Sequence, residues 1–179
     1  MKATLYALMI LILFIQVCPA QAGKAAPTKK EQSHFSAEDE GVRNPAAIPE
    51  DVLEIMGKQE LVLKVLENQE TPPQQLPPSW FSASIIHLSN CSEEDLIVEG
   101  EPPLSGGNTV TFWVFRSTPN GHELVLTAAA HDLIVRKARR NGYRELEMMA
   151  IITMRVDRVL FRFDCKRCQQ YREKSEEIR

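Results

Sequence analysis

The sequence predicts an α+β fold: an N-terminal amphipathic helix packed on a curved antiparallel β-meander of about six or seven strands. Three observations lead there. Residues 48–68 carry apolar side chains at helical spacing. From residue 80 onward the chain breaks into short β-rich runs separated by strong turn signals. In the run "RVLFRF", Val159, Phe161 and Phe163 alternate with Arg158 and Arg162, as in a sheet with one face on a core and one in water.

The chain opens with "MKATLYALMILILFIQVCPAQA". Lys2 precedes an apolar run that ends near Val17, and Ala20-Gln21-Ala22 follows. A basic start, a short apolar stretch and an A-x-A site form a secretory signal peptide over residues 1–22, so the predicted location is secreted or periplasmic. The apolar stretch is short against the roughly 20 residues of a membrane span, and no transmembrane anchor is expected after cleavage. Cys18 raises lipidation as a rival, but Val17 stands where a small residue is required. Cleavage removes one Lys and no acid, taking the net charge from −3 to −4. A mildly acidic exported chain is not expected to bind nucleic acid.

Residues 23–47 are rich in charge, Ala and small polar residues and lack periodicity, and are expected to be a disordered leader. In 48–68, Pro49 suits a first helical position, and Glu50 and Asp51 suit the positive end of the helix dipole. Val52, Ile55, Met56, Gln59, Leu63 and Leu66 fall near one face. Gly57 weakens the middle by about 1 kcal/mol relative to Ala, which predicts either one helix or two hinged near Gly57 and Lys58. Residues 69–79 hold Pro72, Pro73, Pro77 and Pro78 and form a connector, with Trp80 and Phe81 anchoring its end.

Strands are expected over 82–89, 95–100, 109–116, 122–128, 132–138, 143–154 and 158–164, within a sheet region of 80–173. Pro119-Asn120-Gly121 and Asn141-Gly142 are hairpin turns, because these residues tolerate the required backbone angles. In "FWVF", apolar side chains fall on both faces, as in a central strand buried on both sides. Burial is expected at least for Phe112 and Val114, with Trp113 and Phe115 as an alternative exposed binding patch.

"NGYREL" (141–146) followed by "LFRFD" (160–164) resembles a hairpin pattern of uncharacterised secreted bacterial proteins, NG-Y-R-D-(I/L) then Y-R-F-D-G-x-x-Y. "FWVFRSTPNGHELVL" is similar to their preceding hairpin, and "HLSNCSEEDLIVEG" resembles a degenerate calcium-loop segment of the FG-GAP type. The resemblance covers about residues 80–172 and implies structure more than activity. It departs at Cys165 and Cys168, which replace the Gly and Tyr of the turn. It departs again at Ser89–Ser92, where a calcium loop needs oxygen-rich acids.

Several constellations of residues bear on chemistry. Cys165-x-x-Cys168 has redox spacing, and "QQYREKSEEIR" could supply a helix after it, but the βαβ framework of a thioredoxin-like site is missing. With Cys91 these are the disulfide candidates of an exported chain, and three thiols leave one over. His87, Cys91, Cys165 and Cys168 would make a zinc set by count, though not by spacing, and no metal is predicted. His131-Asp132 and Ser105 lack a nucleophile elbow, His122 reads as solvated, and "LSGGN" lacks the Lys of a phosphate loop. No catalytic residue and no cofactor is assigned. The basic residues Arg136, Lys137, Arg139, Arg140 and Arg144 gather round the Asn141-Gly142 turn and are the binding candidates. The expectation is a non-enzymatic binding or inhibitor-like module contacting an envelope protein or glycan by a sheet face or these basic hairpins. The alternative is a thiol–disulfide redox protein using Cys165 and Cys168.

Overall fold

The computed structural model describes residues 30–38, 41–89, 93–153, 155–164 and 167–177. Among these the chain forms two α-helices and nine antiparallel strands. The helices are α1 (Glu50–Met56) and α2 (Glu60–Asn68). The strands are β1 (His34–Ser36), β2 (Phe81–Ile86), β3 (Asp95–Gly100), β4 (Val110–Thr118), β5 (Gly121–Ala130), β6 (Asp132–Arg140), β7 (Tyr143–Ile152), β8 (Arg155–Asp164) and β9 (Arg167–Glu177).

The predicted hairpin-to-hairpin order holds, but the single curved sheet does not. The strands form a four-stranded sheet, β2-β3-β4-β5, and a five-stranded sheet, β1-β6-β7-β8-β9. The division falls at His131, one residue between the end of β5 and the start of β6. Its backbone N–H donates to Met149 O at 2.8 Å and its carbonyl accepts from Ala37 N at 2.8 Å, so the corner's own polar groups are bonded. The ring Nδ1 lies 3.1 Å from the Asn108 carbonyl, which can only accept, so Nδ1 carries the proton.

Two apolar clusters follow. One fills the space between the sheets, with Ile86, Ile97, Phe112, Val114 and Ala128 from one and Phe35, Leu133, Val135, Leu146 and Phe163 from the other. The second joins Val52, Met56, Val62 and Leu66 of the helices to Phe81, Val98, Trp113 and Phe115. Alternation along β4 sends Phe112 and Val114 to the first cluster and Trp113 and Phe115 to the second. All four are fully buried, so Trp113 and Phe115 are core and not an exposed patch. Each such side chain contributes about 1.5–3 kcal/mol relative to exposure.

The leader reading is corrected in its described part. Residues 34–36 pair with β6, Phe35 is fully buried between the sheets, and Pro45 bridges Ser84 of β2. Three strand residues in a polar segment show no periodicity. Their order comes from pairing with a strand about a hundred positions away. The helix breaks over residues 57–59, and Gly57 there is the residue with least to lose from leaving a helix. The break shifts the helical phase, so Val62 and not Leu63 is buried and Leu63 is exposed. A helix after residue 168 is corrected too: 167–177 form strand β9, paired along β8.

Candidate functional site

The β6–β7 hairpin is irregular where its charges concentrate. Register is lost between Val135 and Arg139, so Arg136, Lys137 and Ala138 form a bulge and Arg139 and Arg144 stand directly opposite. A bulge leaves backbone groups without ladder partners. Arg144 supplies donors to them: its Nε donates to Arg136 O and its Nη2 to Val135 O, both at 2.8 Å. Nη1 of the same guanidinium pairs with Glu31. The other Glu31 oxygen lies 2.9 Å from His87 Nδ1. Residues from the 30–32 segment, the end of β2 and β7 are thereby tied into one polar array.

That array forms one wall of a groove of about 380 Å³ beside the edge of β2, lined by Lys30, Glu31, Asn44, Ser84, Ile85 and His87 among others. Ser84 Oγ is buried without a hydrogen-bond partner. The groove opens next to the hairpin, because Arg139 Nη1 and Arg144 N both donate to Leu88 O, at 3.0 and 2.8 Å.

The five basic candidates thus share one hairpin, in different states. Arg136 pairs with Glu147 at 2.5 Å, and Arg158 reaches the same carboxylate at 3.4 Å. Arg144 is largely buried and consumed by Glu31 and the bulge carbonyls. Arg136, Lys137, Arg139 and Arg140 are exposed. The bonds of Arg139 go to the carbonyls of Leu88 and Gly142. Farther along the same sheet, Arg162 is met by Glu145 at 2.5 Å and Arg155 by Asp157 at 3.0 Å.

The other constellations resolve into structure. His122 is not solvated: its side chain is 17% exposed, and its ring and backbone N–H both bond Asp51 of α1. Burial alone would raise the Asp51 carboxyl, but the bonds from His122 outweigh it and hold Asp51 below the ordinary carboxylate range. His131 and Asp132 do not form a base and its orienting acid; His131 faces the Asn108 carbonyl, and Asp132 lies 3.4 Å from His34. Asp95, a late acid of the calcium-like segment, is fully buried and accepts from Leu88 N at 2.8 Å and Ser117 N at 2.9 Å. Burial pushes its carboxyl above the ordinary value despite those bonds.

Cys91 and Cys165 lie outside the described residues, as does Asn90-Cys91-Ser92 of the calcium-like loop. Cys168 stands opposite Phe163 in β9, on a strand and not at a helix N-terminus. Among the described residues no cluster of three or more His, Cys, Asp or Glu could hold a metal, and no helix is long and apolar enough to cross a membrane.

Sequence reasoning missed Glu31, which it assigned to the leader, and Ser84, an ordinary strand residue. The only available signal was a carboxylate in a segment otherwise read as unstructured. Compared with models of protein families, with curated proteins and with solved structures, the chain gives no match.

Proposed function

We propose that the protein is a non-enzymatic binding module that holds an acidic partner segment against the bulged β6–β7 hairpin. One observation carries the reading: among the described side chains of the five-stranded sheet, Arg155, Arg158 and Arg162 are each met by a carboxylate, but the end of the β6–β7 hairpin gathers more basic groups than acidic ones. Arg136 and Arg144 face Glu147 and Glu31 there, while Lys137 and Arg139 stand exposed and the bonds of Arg139 go to backbone carbonyls. Like charges placed directly across a sheet, as Arg139 and Arg144 are, weaken it unless an anion intervenes. Glu31 serves Arg144; a carboxylate from a partner would serve Arg139. Such exposed contacts are worth about 0–1 kcal/mol each, so the reading requires several at once and strong salt dependence.

The hairpin resemblance to secreted bacterial proteins and the leader pattern of residues 1–22 support placing this binding outside the cytoplasm. They name no ligand.

The test uses a fluorescein-labelled oligoglutamate peptide and anisotropy at low and high salt. Expected is binding at low salt that weakens steeply with added salt and drops on the order of tenfold in Lys137→Glu/Arg139→Glu, both exposed positions. Binding that is equal in the variant, or absent at low salt, removes the proposal. A sulfated oligosaccharide competing far better than the peptide would move the partner class from acidic protein to glycan.

A further inference from the structure

The bulge of the β6–β7 hairpin holds one arginine in a fixed pose. Nε and Nη2 of Arg144 donate to the carbonyls of Arg136 and Val135, and its backbone N–H donates to Leu88 O, all at 2.8 Å. Nη1 is left for an acceptor from elsewhere, and it meets Glu31 Oε1. The second oxygen, Oε2, lies 2.9 Å from His87 Nδ1. A carboxylate only accepts, so Nδ1 carries the proton in this contact. Arg144 and His87 thus make a two-point clamp, one donor to each carboxylate oxygen. A guanidinium already fixed by its other bonds loses little freedom in gripping an anion.

The present occupant of the clamp is exchangeable. β1 begins at His34, so Glu31 precedes the ladder with β6. The neighbours of Glu31 are tied by their own groups: Lys30 O accepts from Asn44 Nδ2 at 3.1 Å, and Gln32 bonds His34 O at 3.0 Å and Arg43 N at 2.8 Å. Turning the Glu31 side chain outward therefore leaves β1 paired and Phe35 seated between the sheets. A path in exists as well. Glu31 and His87 both line the groove of about 380 Å³, with Lys30 adding positive charge beside them. The Glu31 and His87 side chains are 26% and 44% exposed, whereas Arg144 behind them is 11% exposed. An incoming carboxylate would meet Arg144 as Glu31 leaves it. One anion replaces another, so the guanidinium is never left buried and unpaired.

We propose that Arg144 and His87 form a carboxylate subsite, that Glu31 fills it in cis as an internal competitor, and that a carboxylate of the acidic partner segment displaces it. This rests on the hairpin reading above and adds its regulation: apparent affinity falls with the fraction of molecules in which Glu31 holds the clamp.

The test applies the labelled oligoglutamate titration at low salt to the intact protein, to Glu31→Gln and to Glu38→Gln. The last is a charge-matched control in the same segment: Glu38 is 79% exposed and lies 3.7 Å from His131, at the sheet corner and not on the hairpin. Expected is binding about fivefold tighter in Glu31→Gln and unchanged in Glu38→Gln. In the parent, the side-chain carboxyl carbon resonance of Glu31 should move to its free position as the peptide saturates, a readout that needs no variant to fold. Peptide bound by neither the parent nor Glu31→Gln removes the hairpin reading itself. Binding to the parent with the Glu31 resonance unmoved, no tightening in Glu31→Gln, or equal tightening in Glu38→Gln overturns the cis competition alone and leaves the hairpin reading in place.

Discussion

His122 and Asp51, 71 positions apart, are joined by both the backbone and the ring of the histidine: N to Oδ2 at 2.8 Å, and Nδ1 to Oδ2 and Oδ1 at 2.9 and 3.1 Å. The contact fastens the start of α1 to the β4–β5 hairpin. Gly121 makes it possible. Its φ is +107°, and a Cβ there would come within 2.7 Å of Asp51 Oδ2. Asp51→Ala is expected to lower stability by about 2 kcal/mol, and Gly121→Ala to do likewise through strain and the lost contact. Denaturant unfolding of the two variants checks this. Because folding lowers the Asp51 pKa, its contribution is present above the unfolded value of 3.8 and is lost as pH falls through the folded one. The deficit of Asp51→Ala should therefore shrink in strong acid.

Glu99 has the opposite sign. It is 5% exposed on β3, Oε2 has no partner, and burial, with Glu101 adding like charge, raises its pKa to about 7 from 4.5. A raised acid favours folding when protonated. The contribution is full below 4.5 and is lost as pH rises through about 7. Glu99→Gln should therefore leave stability near pH 4 little changed and raise it at pH 8. The gain is on the order of 3 kcal/mol if the whole shift is realised. Thermal unfolding across this range checks it; a variant as pH-dependent as the parent refutes it.

Glu31 and Arg144 should behave as a coupled pair. Both side chains are mostly buried, and Arg144 also holds the bulge carbonyls. A double-mutant cycle with Glu31→Gln and Arg144→Met is expected to give a coupling energy of about 1–3 kcal/mol, above that of an exposed surface pair. The Arg144 single variant should be the worse of the two, since the Val135 and Arg136 carbonyls then lose their donor.

Asp95→Ala should cost about 3 kcal/mol, because two backbone N–H groups, Leu88 and Ser117, lose their acceptor together. Added calcium is expected not to change the unfolding midpoint of the parent chain, since both Asp95 oxygens already serve the backbone. A calcium-dependent rise would reassign this carboxylate.

The alternating or wholly apolar runs of β2 to β8, the two hairpin turns and the weak point at Gly57 were legible in the chain, because periodicity and turn chemistry are local properties. The basic cluster at 136–144 was legible for the same reason. What they amount to was not. "TAAAHDL" carries no Gly or Pro, so nothing local marks His131 as the place where one sheet becomes two; the Met149, Ala37 and Asn108 partners that hold the corner are distant in sequence. Phe35 and Glu31 lie in a segment with no pattern, and their burial and pairing depend on β6 and β7. Trp113 read as a large apolar residue on a strand. Only the packing of the helices over the four-stranded sheet buries it, with its indole nitrogen unpartnered. The sequence by itself determined the helical stretch with its weak point and the strands and turns from β2 to β8, but not β1 or β9, whose extension depends on pairing with β6 and β8. The tertiary structure decided which charges are matched and which donors are left over, because those depend on groups brought together by non-local pairing.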